Sequence, residues 1–551
     1  MTIRGYNKNI EFLLPKKLSD YVNDGENCLL AEKIVEGLKN DPLYKKAFKD
    51  YHKKHASSAG QAAYSMDMLL TIVLAGAIDG IFQARKLARV ICRDTAFIYL
   101  SGDQKPDHST ISRFKKNYKP LIKHAFKMTI QMAKDKNLLN LGRIAIDGAK
   151  YKANACLNQR IVANEDYLPE KALEKLFSMD EEDDQLYGGD NQGDELPEDL
   201  LNQKQIDEYV KKQVKEELKK EQNFTVKGKA PENKVEEAIE ESYAREEKII
   251  STTDKDSKLM KVKKESGFFY NVQEVVDGNH FVIGLGVSTD ANDYKQFITM
   301  YEQASENVGG LPEDCEVLAD NGYNNDENCK YCEDNNINGF LQTRQNAMLT
   351  NAKKEYDKYS LINFRWSEEQ QGYICPEGQL LSYQGKTPKT KKEIYYTTEC
   401  TNCPKKDKCS PKGRYRRIYN RYSEEQRRMM DKMSQEQSQV SYSRRMGMVE
   451  HIFGHEKKNL NITQLNHRGI DDIKTEKYLH AINYNINRYA KLTKENIKKT
   501  DKSSDNSLQT TLLTQPINLM KENLDYSQSY NESPLITSPL HQANEPILAE
   551  L

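Results

Sequence analysis

The sequence predicts an α/β protein, in which an all-α N-terminal domain precedes a mixed-sheet domain that carries a cysteine-containing insertion. Two observations predict this class. Apolar residues between 64 and 137 recur at helical spacing, as at Met66, Leu69, Leu70 and Val73. From residue 142 onward, short alternating segments typical of strands are interleaved with helical ones. A chain of 551 residues is long enough for two or three domains.

Residues 1–140 are the predicted helical domain. A short helix is expected near Ala31–Leu38, and Phe82–Leu100 continues the helical pattern. A third helix, capped by Asp107 or Ser109, is expected to run on through Met128. The basic residues on these helices are Arg85, Lys86, Arg89, Arg113, Lys115 and Lys116. Small helical domains with basic faces often bind DNA, and the alternative is a packing domain with a solvated basic face.

Residues 141–490 are the predicted mixed-sheet domain. Gly142–Asp147 is a predicted strand that Lys150–Asn154 continues, and a turn at 277–279 joins a predicted strand pair. The expected elements after residue 262 are strands at Lys263–Val276 and His280–Val287, a helix at Asp293–Ala304, a strand at Glu316–Asp320, a helix at Asn328–Asn335 and a strand at Ile337–Thr343. We therefore expect three strands followed by two helix–strand pairs.

Charge separates the chain into regions, although the net charge is only −1. Residues 161–250 carry 26 acidic and 13 basic side chains, and residues 501–551 carry 7 acidic and 2 basic ones. The rest of the chain is therefore strongly basic, which suits a nucleic-acid partner. We interpret 158–250 as an insert of charged helices, at Asn202–Gln222 and Lys234–Ile249, and 491–551 as a disordered tail.

Three acidic residues stand where a metal site is expected. Asp147 and Asp320 each end a short apolar strand pattern, and Glu450 lies within a helical pattern. Hard divalent cations such as Mg²⁺ take clustered carboxylate oxygens as ligands. Pairs of such ions, about 3.5–4 Å apart, promote phosphodiester chemistry. An isolated Asp-Gly is more often a turn, so the argument depends on all three acids together.

Several motifs occur in the order found in one family. They are Ile146-Asp147-Gly, Asn271-Val-Gln273 with Val276-Asp277, Ala319-Asp320-Asn-Gly-Tyr323 and Val449-Glu450-His-Ile-Phe-Gly454, preceded by Leu69–Gly76, Ala84–Leu87 and Pro106–Phe114. This series resembles bacterial insertion-sequence transposases of the DDE type, from about Tyr64 to Tyr489. The resemblance implies a ribonuclease-H-like catalytic domain that cuts and joins DNA, with Asp147, Asp320 and Glu450 binding Mg²⁺ or Mn²⁺.

The resemblance also implies partners and further contacts. The expected partners are double-stranded DNA, as terminal inverted repeats and target, and a second copy of the chain when DNA is bound. A Tyr–Arg–Glu–Lys signature of the family is matched by Tyr442, Arg445, Glu450 and Lys457. The spacing from Arg445 to Glu450 is one residue longer than in that signature. It therefore leaves open whether Arg444 or Arg445 contacts DNA.

Four cysteines fall within a predicted insert over 360–430. Cys375, Cys400, Cys403 and Cys409 include one C-x2-C pair, which suits a tetrahedral structural zinc ion. The alternative is four reduced thiols near a surface. A basic, tyrosine-containing segment, Lys405–Arg428, overlaps this insert, and phosphate pairing with base stacking would explain that mixture. A solvated basic face is the alternative there.

The sequence contains no apolar run long enough for a membrane span. The nearest candidate, Tyr64–Ile81, is interrupted by Asp67 and Asp79. Without a signal-peptide core, we expect a cytoplasmic, nucleoid-associated protein with reduced thiols. The leading hypothesis is a metal-dependent transposase. The alternatives are a catalytically inactive DNA-binding descendant and a zinc-organised scaffold, and the latter leaves the charge separation unexplained.

Overall fold

The structure is a computed structural model, and it forms two compact units, Met1–Lys494 and Glu495–Leu551. It describes residues 17–22, 26–56, 62–163, 224–245, 247–262, 265–343, 358–359, 363–367, 369–387, 393–411, 413–420 and 423–503. The predicted helix at Asn202–Gln222 and most of the predicted tail lie outside these residues. Everything below concerns the first unit.

Seven α-helices build the described part of the N-terminal region. They are α1 (Leu30–Leu38), α2 (Pro42–His55), α3 (Met66–Ile78), α4 (Ala84–Val90), α5 (Thr95–Ser101), α6 (His108–Asn117) and α7 (Lys119–Asp135). Helix α3 is buried along nearly its whole length, so it forms the centre of this region. Asp107 caps α6 by accepting a hydrogen bond from the Thr110 N–H at 2.8 Å.

The predicted third helix is two helices. Proline favours the first turn of a helix, and Pro120 lies in the first turn of α7, after a break at Tyr118. The predicted helical stretch Phe82–Leu100 is also divided. Asp94 begins a new helix, α5, by accepting a hydrogen bond from the Ala96 N–H at 2.9 Å.

The central sheet positions the candidate site. Its strands are β1 (Arg143–Lys152), β5 (Lys258–Val262), β6 (Glu265–Asp277), β7 (Val282–Ser288), β8 (Glu316–Ala319) and β9 (Gly339–Leu341). Strands β2 to β4 form a separate small sheet, whose bounds are given below. The order runs β6-β1-β8-β9, with β5 and β7 also paired to β6. Strand β1 is antiparallel to β6 and parallel to β8, and β8 is parallel to β9. The predicted strand order is therefore observed as a mixed sheet.

Helices connect and cover this sheet. Helix α9 (Phe297–Val308) follows β7, and α10 (Asp326–Asp334) lies between β8 and β9; α8 (Glu232–Arg245) belongs to the insert. Later in the chain come α12 (Glu424–Ser434), α13 (Glu436–Gly454) and α14 (Ile470–Ser503), after the short α11 (Lys406–Cys409). A π-helical turn, His455–Asn459, directly follows α13. Helix α13 packs against β1, β8 and β6, so it reaches the centre of the sheet.

The two inserts contain sheets that the sequence did not predict. The described ends of the 158–250 insert form a three-stranded sheet, β3-β2-β4, from β2 (Arg160–Ala163), β3 (Phe224–Lys227) and β4 (Ile249–Ser251). Ile161, Ala238 and Ile250 form its small core together with α8. The cysteine-containing insert is a five-stranded sheet of β10 (Arg365–Ser367), β11 (Gly372–Ile374), β12 (Leu380–Lys386), β13 (Glu393–Tyr396) and β14 (Ile418–Asn420).

Candidate active site

Two of the predicted acids lie at the same edge of the central sheet. Ile146 of β1 pairs in parallel with Ala319 of β8, and Asp147 and Asp320 are the next residues of their strands. Each carboxylate accepts a hydrogen bond from a nearby backbone N–H. Gly148 donates to Asp147 Oδ1 at 2.9 Å, and Gly322 donates to Asp320 Oδ1 at 2.7 Å. Two rigid strands therefore bring these carboxylates together from positions far apart in the sequence.

A buried arginine occupies the space beside these carboxylates. Arg445 of α13 places Nη1 3.0 Å from Asp147 Oδ2, and only 8% of its side chain is exposed. Its guanidinium carbon lies 5.8 Å from the centre of the Tyr442 ring. A positive side chain thus lies against acids that were predicted to bind a cation.

A third acid, which the sequence analysis did not single out, completes the cluster. Asp293 Oδ1 accepts hydrogen bonds from Asn271 Nδ2 at 2.7 Å and from Gln273 Nε2 at 2.6 Å. A Cβ placed on Gly322 would lie 2.9 Å from Asp320 Oδ1 and 3.2 Å from Asp293 Oδ2. Glycine at 322 therefore allows the two carboxylates to approach. The Asn271-Val-Gln273 motif was the sequence signal that pointed to this region.

Burial dominates the electrostatics of the pair. It raises the pKa of Asp147 to about 6, although Arg445 lowers that pKa and Asp320 adds to the rise. Burial also raises the pKa of Asp320, where Arg445 again opposes the rise and Asp293 adds to it. Carboxylates that repel one another in a partly dry site are stabilised by a cation. The site therefore favours positive charge.

Glu450 lies on the same helix as Arg445 but does not face the pair. It is exposed, and it follows Arg445 by five residues. At about 100° per residue, that separation turns Glu450 about 140° around the helix axis from Arg445. The structure thus places Glu450 on the helix that contacts the pair, with its side chain directed elsewhere.

The other residues of the predicted signature divide between surface and interior. Arg444 is exposed, whereas its neighbour Arg445 is buried against Asp147. Lys457 lies in the π-helical turn with Nζ 5.1 Å from the centre of the Tyr151 ring. Of the two arginines, Arg444 is the one accessible to a nucleic acid in this structure.

Next to the pair, strand β6 contributes a buried ionic network. Glu274 is paired with Asp147 across the β1–β6 ladder, and its Oε1 lies 3.1 Å from Lys477 Nζ. Lys477 also contacts Glu456, to which the Tyr151 hydroxyl donates a hydrogen bond. Lys477 holds the pKa of Glu456 below its usual value, against the effect of burial. This network links α14 and the π-helical turn to strands β6 and β1.

Most of the predicted basic face is exposed on α4 and α6, which pack together. Its exposed members are Arg85, Lys86, Arg89, Arg113 and Lys116. Lys115 is different, because its side chain is buried and donates a hydrogen bond to the Phe82 carbonyl at 2.5 Å. Burial lowers the pKa of Lys115 to about 8. The prediction that Lys115 belongs to this face was therefore wrong.

The four cysteines of the cysteine-containing insert line a single cavity with Phe364 and Leu381. All ten cysteines of the chain are free thiols. The raised pKa of Cys409 has burial as its main cause, with the other three cysteines of the cavity adding to it. Within the described residues, no group of three or more His, Cys, Asp or Glu side chains is arranged to hold a metal ion. The chain contains another C-x2-C pair, Cys329 and Cys332, and both of these cysteines are buried on α10.

Two protein-family models match this chain, one in its N-terminal helical region and one in a later segment that includes α13. A family model described as a transposase DDE domain matches residues 374–490, which include Arg445 and Glu450. A second, described as transposase domain (DUF772), matches residues 17–117, the helical region. Both matches support an insertion-sequence transposase of the DDE type. No curated protein matched this chain, and no helix among its described residues is long and apolar enough to cross a membrane.

Proposed function

We propose that this transposase cuts and joins DNA phosphodiesters at the ends of an insertion sequence, with Asp147, Asp320 and Glu450 as metal ligands. The observation that carries the proposal is the pair of aspartates on adjacent parallel strands, held against a cation from the helix that carries Glu450. The strand order β7-β6-β1-β8-β9 supports a ribonuclease-H-like catalytic domain.

The chemistry of these donors fits Mg²⁺ or Mn²⁺. Carboxylate oxygens are the ligands that both ions prefer, and Asp147 and Asp320 already lie beside a positive charge. Such ions would activate the attacking oxygen of a phosphodiester reaction and stabilise the leaving one. The protein's own part is to fix the two aspartates on rigid strands. Their hydrogen bonds from Gly148 and Gly322 hold each carboxylate in one orientation.

The exposed basic face of the helical region is the proposed contact for duplex DNA. Arg85, Lys86, Arg113 and Lys116 lie on two packed helices, and Arg444 and Lys457 are exposed on α13 and in the π-helical turn that follows it. Arginine and lysine bind phosphates with little regard to sequence. We propose that these groups orient the duplex toward the carboxylates. A homodimer on DNA remains a prediction.

The test is strand cleavage by single charge-removing variants. Asp147→Asn, Asp320→Asn and Glu450→Gln should each abolish Mg²⁺-dependent cleavage of DNA carrying the element's ends, because each removes an anionic ligand at nearly constant shape. Duplex binding should stay within about twofold. Glu436→Gln is the matched control, since it neutralises an exposed acid on the same helix, α13. Normal cleavage by any of the three variants would remove that residue from the proposed ligand set.

An inactive DNA-binding descendant is the alternative, and the same assay decides it. Such a protein would bind the element's ends without Mg²⁺-dependent cleavage, whichever residue is changed. The presence of Asp147, Asp320 and Glu450 together argues against this alternative. Cleavage by the unaltered chain would exclude it.

We also propose that Cys375, Cys400, Cys403 and Cys409 bind one structural zinc ion. The supporting observation is that all four thiols line the same cavity. Four thiolate ligands leave no open position, so the ion would contribute to folding. Metal analysis should find about one zinc per chain, which a Cys400→Ser/Cys403→Ser variant loses and an exposed control, Cys92→Ser, keeps. Absence of zinc from freshly prepared, reduced protein would contradict this.

A further inference from the structure

One face of the five-stranded sheet packs into a hydrophobic core. Leu381, Tyr395 and Ile418 are buried together with Phe364. Tyr395 pairs with Ile418 on the neighbouring strand, and directly paired residues lie on the same face of a sheet. This face packs onto its own insert and is not available to a partner.

The opposite face of the same strands carries tyrosines. Successive side chains alternate between faces, so Tyr396 and Tyr419 point away from the core that contains Tyr395 and Ile418. Tyr419 is 39% exposed. The Tyr396 and Tyr415 rings stack with centres 5.0 Å apart and planes within 10° of each other. Flat aromatic surfaces are thus presented outward from β13 and β14.

Arginines accompany these rings. The guanidinium carbon of Arg417 lies 5.6 Å from the centre of the Tyr396 ring, and that of Arg414 lies 5.3 Å from the Tyr415 ring. Both arginines are exposed. Among the described residues 405–411 and 413–417, basic side chains outnumber the one acid, Asp407. We call Tyr396, Tyr415, Tyr419, Arg414 and Arg417 the tyrosine face.

We propose that the tyrosine face binds an unpaired DNA strand. This role rests on the proposed function, the cutting and joining of DNA at Asp147 and Asp320. Unpaired bases expose ring faces that stack on tyrosine, and neighbouring arginines pair with phosphates. The bases of a duplex are already stacked on one another, so a duplex would use the arginines alone. Cutting one strand of a duplex frees an end that can unpair, which provides the ligand that this face fits.

The test compares single strands with duplexes, using the full-length protein. The probes are a fluorescein-labelled 12-nucleotide single strand and a hairpin duplex of the same sequence. Tyr396→Ala/Tyr419→Ala should weaken single-strand binding at least about fivefold, because each stacked base contributes substantially. Binding of the hairpin should change less than twofold. Tyr419→Trp should retain single-strand binding, since tryptophan preserves an aromatic surface.

The chain offers a matched control on the same sheet. Tyr383 is 49% exposed but lies on the core face, opposite Tyr395. Tyr383→Ala should therefore leave single-strand binding unchanged. Folding of the sheet is monitored in every alanine variant by the fluorescence of Trp366 on β10, the chain's single tryptophan. In a variant whose Trp366 spectrum is unchanged, a loss of binding is a direct effect of the substitution.

The proposal would be overturned by undetectable single-strand binding by the unaltered chain, or by equal losses in Tyr383→Ala and in the double variant. Its failure is separable from failure of the proposed function. Asp147→Asn should bind the single strand normally while losing cleavage. If Tyr396→Ala/Tyr419→Ala still cleaves DNA and binds single strands as the unaltered chain does, the proposal for the tyrosine face is refuted and the proposed function is not affected. A chain that binds single strands through these tyrosines but never cleaves would refute only the metal-dependent activity.

Discussion

Replacing Arg445 with glutamine should make the stability of the protein more dependent on pH and on divalent metal. Only 8% of the Arg445 side chain and 19% of the Asp147 side chain are exposed. Removing one partner of a buried ion pair costs about 3–5 kcal/mol, because the other charge remains buried. Since water still reaches Asp147, we expect the lower end, a loss of about 3 kcal/mol at pH 8.

The pH dependence follows from the carboxylate. In the folded protein the pKa of Asp147 is raised from 3.8 to about 6, so the folded state holds this proton more tightly than the unfolded chain. The Asp147 carboxyl group therefore contributes about 3 kcal/mol of stability that is fully present below pH 3.8 and is lost as pH rises through 6. Arg445 opposes that rise in pKa. In Arg445→Gln the pKa is higher still, and the fall continues to higher pH.

The assay is urea denaturation followed by circular dichroism at pH 5, 6, 7 and 8, with and without Mg²⁺. The difference between Arg445→Gln and the unaltered chain should widen from pH 5 to pH 8. Mg²⁺ at about 100 times its dissociation constant should return about 2.7 kcal/mol to the variant. The control is Arg444→Gln, which removes an exposed arginine and should change stability by less than about 0.5 kcal/mol. Equal stability of Arg445→Gln and the unaltered chain at pH 8 without metal would refute the reasoning.

Three further changes test the surroundings of the pair. Lys477→Met leaves Glu274 and Glu456 buried without their cation, and should lower the free energy of unfolding by about 3–5 kcal/mol in urea denaturation. Gly322→Ala introduces a Cβ 2.9 Å from Asp320 Oδ1, and should reduce cleavage more than duplex binding in a gel assay. Arg113→Ala, on the exposed basic face, should weaken duplex binding and lower its salt slope by about one, with cleavage at saturating DNA unchanged.

Local patterns explain what the sequence predicted well. The long alternating pattern of β6 and β7, with a turn at Asp277-Gly-Asn279, is a short-range signal, and both strands were expected close to their observed bounds. The expectation that Asp147 and Asp320 share one metal site came from the resemblance to a ribonuclease-H-like domain. Their register, with Ile146 opposite Ala319 in a parallel pair, is a finding of the structure.

The missed features all depend on contacts that no local pattern encodes. The small sheet at β2 pairs Arg160–Ala163 with Phe224–Lys227, two short segments separated by a long acidic stretch. Asp293 begins a predicted helix in the sequence, whereas α9 starts at Phe297 in the structure. Glycine at 322 then lets the Asp293 carboxylate approach Asp320. The choice between Arg444 and Arg445 depended on the rotation of α13, about 100° per residue. Adjacent arginines therefore differ completely in burial.

The placement of α13 leads to one consequence for the proposed metal site. Arg445 and Glu450 lie about 140° apart on the same helix, so they cannot both face Asp147 and Asp320 while the helix keeps its present rotation. A guanidinium at 3.0 Å from Asp147 Oδ2 and a divalent cation compete for the same carboxylate oxygen. If Glu450 is the third ligand, binding of metal must replace the Arg445 ion pair and turn this part of α13. That exchange is why metal should stabilise Arg445→Gln more than it stabilises the unaltered chain.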